Sequence, residues 1–144
     1  MKTIVLFVTV LCLVSCGRET EAQPITAGKG NMAESYVTVY DFHMKHRCKT
    51  CIDIENSTKK VLKDQFSKEL AEKKISFKLV DAEDPRNEAL VEEFGAFGTT
   101  LAISITKNGK RKIDDITPWA FQNSGNDQFE PELAEKIRQA LGKL

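Results

Sequence analysis

The sequence predicts an α/β domain with the element order β-α-β-α-β-β-α, and three observations carry that expectation. Runs rich in β-branched and aromatic residues (YVTVYDF, ISFKLVD, TLAISIT) recur along the chain and read as strands. Each of the first two is followed by a segment with apolar residues at helical spacing. An Asn108-Gly109 pair then separates the third run from a fourth, which is a strong hairpin signal. Strand-helix-strand units favour parallel pairing through right-handed crossovers. The hairpin adds an antiparallel pair, so the expected sheet is mixed and four-stranded.

The elements follow in order. Tyr36–Phe42 is the first strand, buried to judge from its composition. Ile52–Lys74 is the first helix, with Ile54, Thr58, Val61, Gln65 or Phe66 and Leu70 on one face. Ile75–Asp81 alternates and is the second strand. Pro85–Phe94 is a helix opened by Pro85 and closed by Gly95. Thr100–Thr106 and Arg111–Thr117 form the hairpin. Pro118–Phe129, with Trp119 and Phe121, reads as a loop long enough to be a partner-contact element or merely a linker. Phe129–Leu144 closes the chain as an amphipathic helix through Leu133, Ile137, Ala140 and Leu141.

Ahead of this domain, Lys2 and the apolar run Ile4–Val14 are too short for a membrane span and read as a secretory signal. Leu13-Val14-Ser15-Cys16 resembles the bacterial lipoprotein signal. That resemblance implies removal of residues 1–15 and acylation of Cys16, with more than one acyl chain for a stable anchor. Residues 16–35 have few large apolar side chains and read as a flexible tether, leaving 36–144 as one domain. The expected location is extracytoplasmic, lipid-anchored in a bacterial periplasm or cell envelope. Balanced charge, 21 basic and 21 acidic residues, gives no case for nucleic acid.

Of 4 cysteines, Cys12 leaves with the signal and Cys16 carries lipid, so Cys48 and Cys51 remain where disulfides persist. They lie in a strand-to-helix turn within HMKHRCKTC, at or just inside the helix start. Residues three apart in a first helical turn face the same way, within disulfide reach. Cys48 is expected to be exposed. Unpaired backbone N–H groups and the helix dipole would favour its thiolate, helped by Arg47, Lys49 and His46. Cys51, deeper, would resolve the mixed disulfide. Asp41 is a further candidate, as a buried proton acceptor for Cys51, if its side chain faces that way.

Two other readings of the pair stand beside redox exchange. One is a structural staple, whose small loop would contribute only about 2 kcal/mol. The other is a claw for Cu, Zn or trivalent arsenic made by His43, His46, Cys48 and Cys51, with Met44 nearby, since soft sulfur with imidazole suits such ions.

The strand order with a CxxC after the first strand resembles the thioredoxin family, and KKISFKLVDAEDPRNEALVEEFGAFGTTLAISITKNGK resembles the second half of such a domain. This implies a three-layer α/β/α sandwich. Val39 through Glu55 is further similar to the V-x-Y-x-F-H-x-x-x-R-C-x-T-C-x-x-I-E pattern of a lipoprotein family described as nitrophenyl compound nitroreductase subunits, found among bacterial arsenic-resistance genes. The resemblance implies a membrane-anchored thiol-disulfide oxidoreductase needing no bound cofactor beyond its redox-active disulfide. It would have a protein redox partner: a membrane electron donor or a nitroreductase. Nothing in the sequence resembles a flavin site. Against thioredoxins, Arg47 replaces the usual Trp and Lys49-Thr50 replaces Gly-Pro. Thr99 stands near the place of the cis-proline that guards the pair against metal, and is expected to be trans. Phe97 and Thr99 are expected to line the face around Cys48.

Overall fold

A computed structural model describes residues 35–144. The signal segment 1–15, Cys16 and nearly all of the tether lie outside the described residues. Among the described residues the order is β1 (Ser35–His43), α1 (Lys49–Gln65), α2 (Ser67–Ala71), β2 (Ile75–Asp81), a 3-10 turn (Pro85–Asn87), α3 (Glu88–Phe94), β3 (Thr100–Lys107), β4 (Lys110–Asp115), α4 (Thr117–Asn123) and α5 (Phe129–Leu141). No described helix is long and apolar enough to cross a membrane.

The sheet runs β2-β1-β3-β4. β1 and β2 are parallel, with Val37 opposite Ile75 and His43 opposite Asp81. β3 is antiparallel to both β1 and β4. This is a thioredoxin-like α/β fold with the mixed four-stranded sheet that the sequence predicts.

The central position of β1 explains its composition. Residues 37–42 are all buried, because both faces of the strand are covered. Alternate side chains go to opposite sides. Val37 and Val39 join Ile54, Val61, Leu101, Ile103, Leu133 and Ile137 in a core under α1 and α5. Tyr40 and Phe42 join Val80, Val91, Phe94 and Ala102 under α3. Tyr40, Phe42 and Phe94 form an aromatic cluster there, with ring centres 4.5 to 5.8 Å apart.

Three differences from the sequence reading have physical causes. The first helix starts at Lys49 rather than Ile52, because Cys48 caps it. It breaks at Phe66, whose backbone leaves helical values (φ −130°) as the ring turns into the core at 3% exposure. The predicted helix Ile52–Lys74 is therefore two helices, the second ended by Lys73 at φ 58°. Finally, the expected loop after the hairpin is in large part helix α4. Pro118 fits its first turn, where no N–H is needed. Thr117 bridges to β3, accepting from Leu101 N–H at 2.9 Å through Oγ1. Trp119 stacks on Phe129 with ring centres 5.0 Å apart, and its Nε1 donates to Glu132.

Two turns follow the sequence signals directly. Asn108 and Gly109 both take positive φ, 51° and 73°, as a two-residue hairpin turn of the primed type demands. Gly95 caps α3 in the left-handed region, and Ala96 N–H closes the turn on Val91 carbonyl at 2.9 Å.

Candidate functional site: a disulfide at the N-terminus of α1

The parallel pairing of β1 and β2 leaves both strand ends at one edge of the sheet, and the cysteine loop is built on that edge. Ala82 N–H bonds His43 carbonyl at 2.8 Å, and Lys45 N–H donates to the Glu83 carboxylate. These contacts hold residues 43–47 against the β2–α3 connection and deliver Cys48 to the start of α1.

Cys48 and Cys51 are joined as a disulfide with Cα atoms 5.2 Å apart. Cys48 is the N-cap residue, its backbone extended, and its Sγ accepts from Cys51 N–H at 3.1 Å. A sulfur thus occupies the place usually held by a capping oxygen. The first turn of α1 contains no acidic residue. A thiolate at Cys48 would therefore meet the helix's unpaired N–H groups without a competing anion. Cys48 is exposed, while Cys51, one turn in, is only 6% exposed. The two sulfurs are unequal in the sense expected.

Thr99 comes next to the pair from the far side. Its Oγ1–H donates to Cys51 Sγ at 3.4 Å. Every peptide bond among the described residues is trans, that of Thr99 included. Phe97, two residues earlier, is 77% exposed. It borders an open groove of about 340 Å³ whose other apolar walls are Ala82, Pro85 and Val91.

Asp41 lies on the α1 side of the sheet, in alternation with Val37 and Val39. It is fully buried, and neither carboxylate oxygen has a hydrogen-bond partner among the described residues. Burial, reinforced by the neighbouring Glu55 charge, pushes its pKa up to about 7, while Arg47 and Lys59 oppose the rise. Glu55 is itself buried, beneath Arg47 and Lys59, both of which pair with it. Burial raises Glu55, but hydrogen bonds from Lys59 and Arg47 outweigh that and hold it below the usual glutamate range.

The remaining residues expected at the site are distributed as follows. Arg47 is turned toward Glu55, with its Nε and Nη2 buried and without hydrogen-bond partners among the described residues, so its charge serves the carboxylates as much as the sulfur. Lys49 is exposed and pairs with Asp53 at 2.6 Å along the helix. His46 is exposed. His43 Nδ1 donates to the adjacent Met44 carbonyl at 3.2 Å. Among the described residues no three His, Cys, Asp or Glu side chains are gathered so as to hold a metal, and His43 and His46 do not form such a group with the sulfurs.

Glu55 and Lys59 are the residues that sequence reasoning passed over. The signal was present: the buried stripe of α1 runs Cys51, Ile54, Glu55, Thr58, Val61, Leu62, and a glutamate interrupts it one turn after Cys51. A carboxylate on a core-facing stripe needs partners, and here they come from Arg47 and Lys59.

No family model matches the chain, and no curated protein matches it. A solved structure described as "Structure of a malarial protein" is 19% identical, covering 62% of this chain and 98% of that one, with a TM-score of 0.38. A likeness at that level fixes neither fold nor function.

Proposed function

We propose that the domain is an extracytoplasmic, membrane-anchored thiol-disulfide oxidoreductase that relays electron pairs through Cys48 and Cys51. The observation that carries this reading is the inequality of the two sulfurs: one exposed at a helix N-cap, the other buried one turn deeper.

The reaction follows from that inequality. In the reduced protein the Cys48 thiolate attacks one sulfur of a partner's disulfide. The partner's S–S bond breaks, a Cys48–partner disulfide forms, and one partner thiolate leaves. Cys51 then loses its proton to the Asp41 carboxylate, on the sheet face that α1 covers. Its thiolate attacks Cys48 Sγ, releasing the second partner thiolate and closing the Cys48–Cys51 disulfide. The partner gains two electrons and the cysteine pair loses two. The pair gives up one proton, from Cys51 to Asp41, because Cys48 begins as the thiolate. The two partner thiolates take their protons from water, to which Asp41 returns the one it received. Run backwards, the steps oxidise a partner dithiol. Thr99 Oγ1–H, aimed at Cys51 Sγ, would stabilise negative charge on that sulfur as it forms.

Turnover requires a redox partner that restores the pair. The sequence resemblance supports a membrane electron donor or a nitroreductase in that role. Phe97, two residues before the Thr99 that contacts Cys51, and the groove beside it would give the partner an apolar footing.

The test is a redox titration of the purified protein in glutathione and dithiothreitol buffers, with alkylation and metal content read on each sample. A reversible two-electron transition in metal-free protein, with Cys48 alkylated first, is expected. Cys51→Ser should accumulate mixed disulfides with partner proteins in cells, and Cys48→Ser should not. Copper or zinc bound tightly enough to block alkylation until a chelator is added would overturn the relay.

A further inference from the structure

The end of the sheet opposite the disulfide carries positive charge with few counter-ions. Ser35 pairs with Lys107, and Lys107 pairs with Lys110 across the hairpin. Residues directly opposed in a ladder share a face of the sheet. Lys107 and Lys110 therefore share one face, as do Ile105 and Lys112. It is the α5 face, because Ile105 belongs to the core beneath α1 and α5. Lys143, just beyond α5, completes the set. Its carbonyl accepts from Lys107 Nζ at 3.2 Å, and all four lysines line one open groove of about 410 Å³ with Ile105 as its apolar floor. All four are exposed, and none is in an ion pair among the described residues. Arg111 also borders the groove, but its charge is engaged on the other face: it pairs with Glu93 and lies over the Phe94 ring.

Lysines on an edge strand commonly guard against pairing with another sheet. That role does not account for this arrangement. Lys107 and Lys110 are like charges directly opposed, which destabilises a ladder. The cluster also extends to Lys143, outside the strand. The charge is polarised along the sheet as well. β4 reads Lys110, Arg111, Lys112 at the hairpin end and Asp114, Asp115 toward the disulfide end. β1 spans the distance between the two ends, roughly 27 Å for a strand of this length. Ser35, the point where the chain arrives from Cys16, is at the lysine end.

We propose that Lys107, Lys110, Lys112 and Lys143 form a docking face for the anionic headgroups of a lipid bilayer, holding the domain with its disulfide turned away from the membrane. The proposal rests on the reading of Cys16 as a lipid anchor. The anchor keeps the face within a few Debye lengths of the bilayer, where each lysine is attracted to anionic lipid.

The test uses the full-length protein as processed by the cells that express it, with vesicles of phosphatidylcholine, alone or mixed with phosphatidylglycerol. Each sample is floated, then labelled with a water-soluble amine reagent and read by peptide mass. In the anionic vesicles, labelling of the four lysines should fall by about threefold or more, and molar salt should remove the protection. Lys45 and Lys49, beside the disulfide, should label equally in both. Lys110→Glu combined with Lys112→Glu should remove the protection of Lys107 and Lys143. Flotation with both vesicles but equal labelling of the four lysines overturns the docking face and leaves the anchor standing. Flotation with anionic vesicles alone, with the four lysines protected, keeps the docking face and removes the anchor. Flotation with neither removes both.

Discussion

Asp41 is the residue whose chemistry is most constrained by its surroundings. It has no exposure and no hydrogen-bond partner among the described residues, and its carboxyl titrates near 7 because ionising it there means leaving water. An unfolded chain would ionise it near 3.9. Between those values the folded protein holds a proton that the unfolded chain has lost. Stability should therefore fall as pH rises from about 4 to about 7, then level off. Asp41→Asn removes this dependence. Relative to the wild type, the variant should gain on the order of 2–4 kcal/mol between pH 4 and pH 8, read by urea unfolding at each pH. An equal difference at both would mean that Asp41 is charged throughout and is not poised to take a proton from Cys51. Arg47 shows a complementary change of role. Read from the sequence, it is a charge beside Cys48. Its ion pair with the buried Glu55 makes it also a strap across the loop that carries the cysteine.

At the scale of elements, what the sequence made legible depended on how local the cause was. The Asn108-Gly109 hairpin, the Gly95 cap and the buried first strand rest on a few adjacent residues, and each occurs where expected. The unequal cysteines were legible too, because a helix start dictates them. The break at Phe66 was not: its surroundings allow the helix to continue, and the ring's burial in the distant core decides against it. The helix α4 was missed for a related reason. Its turn-like residues, Pro118 in the first turn and Asn123-Ser124-Gly125 at the end, read as a loop, while its stability comes from packing on β3 and α5. Asp41's face was undecidable from alternation within a strand buried on both sides. The packing of α4 has a direct consequence. Ala120 has no exposure and belongs to the core under α1 and α5. Ala120→Leu should overpack that core and cost about 1–3 kcal/mol, visible as a lower urea midpoint with an unchanged slope. A loop in that place would tolerate the change.

On the scale of the whole molecule, the question is what the disulfide does for the fold. Two cores, one on each side of the sheet, are filled by residues that do not depend on the bond. The loop closed by Cys48 and Cys51 spans a sequence separation of 3, so the chain-entropy gain is small, about 2 kcal/mol or less. Reduction adds an opposing effect. The freed Cys48 thiolate sits at the N-cap of a 17-residue helix, where the dipole and unpaired N–H groups favour it. Thr99 supplies a donor to the second sulfur. The unfolded chain has none of these contacts, so they stabilise the reduced fold selectively. Both forms should therefore unfold cooperatively, and their stabilities should differ by less than about 2 kcal/mol. By linkage, that difference is also the free energy by which folding shifts the pair's tendency to be oxidised, so urea unfolding of each form and a direct redox titration must agree. Loss of the folded state on reduction would make the bond a staple. A pair that opens and closes within a fold indifferent to its state is what an electron relay requires.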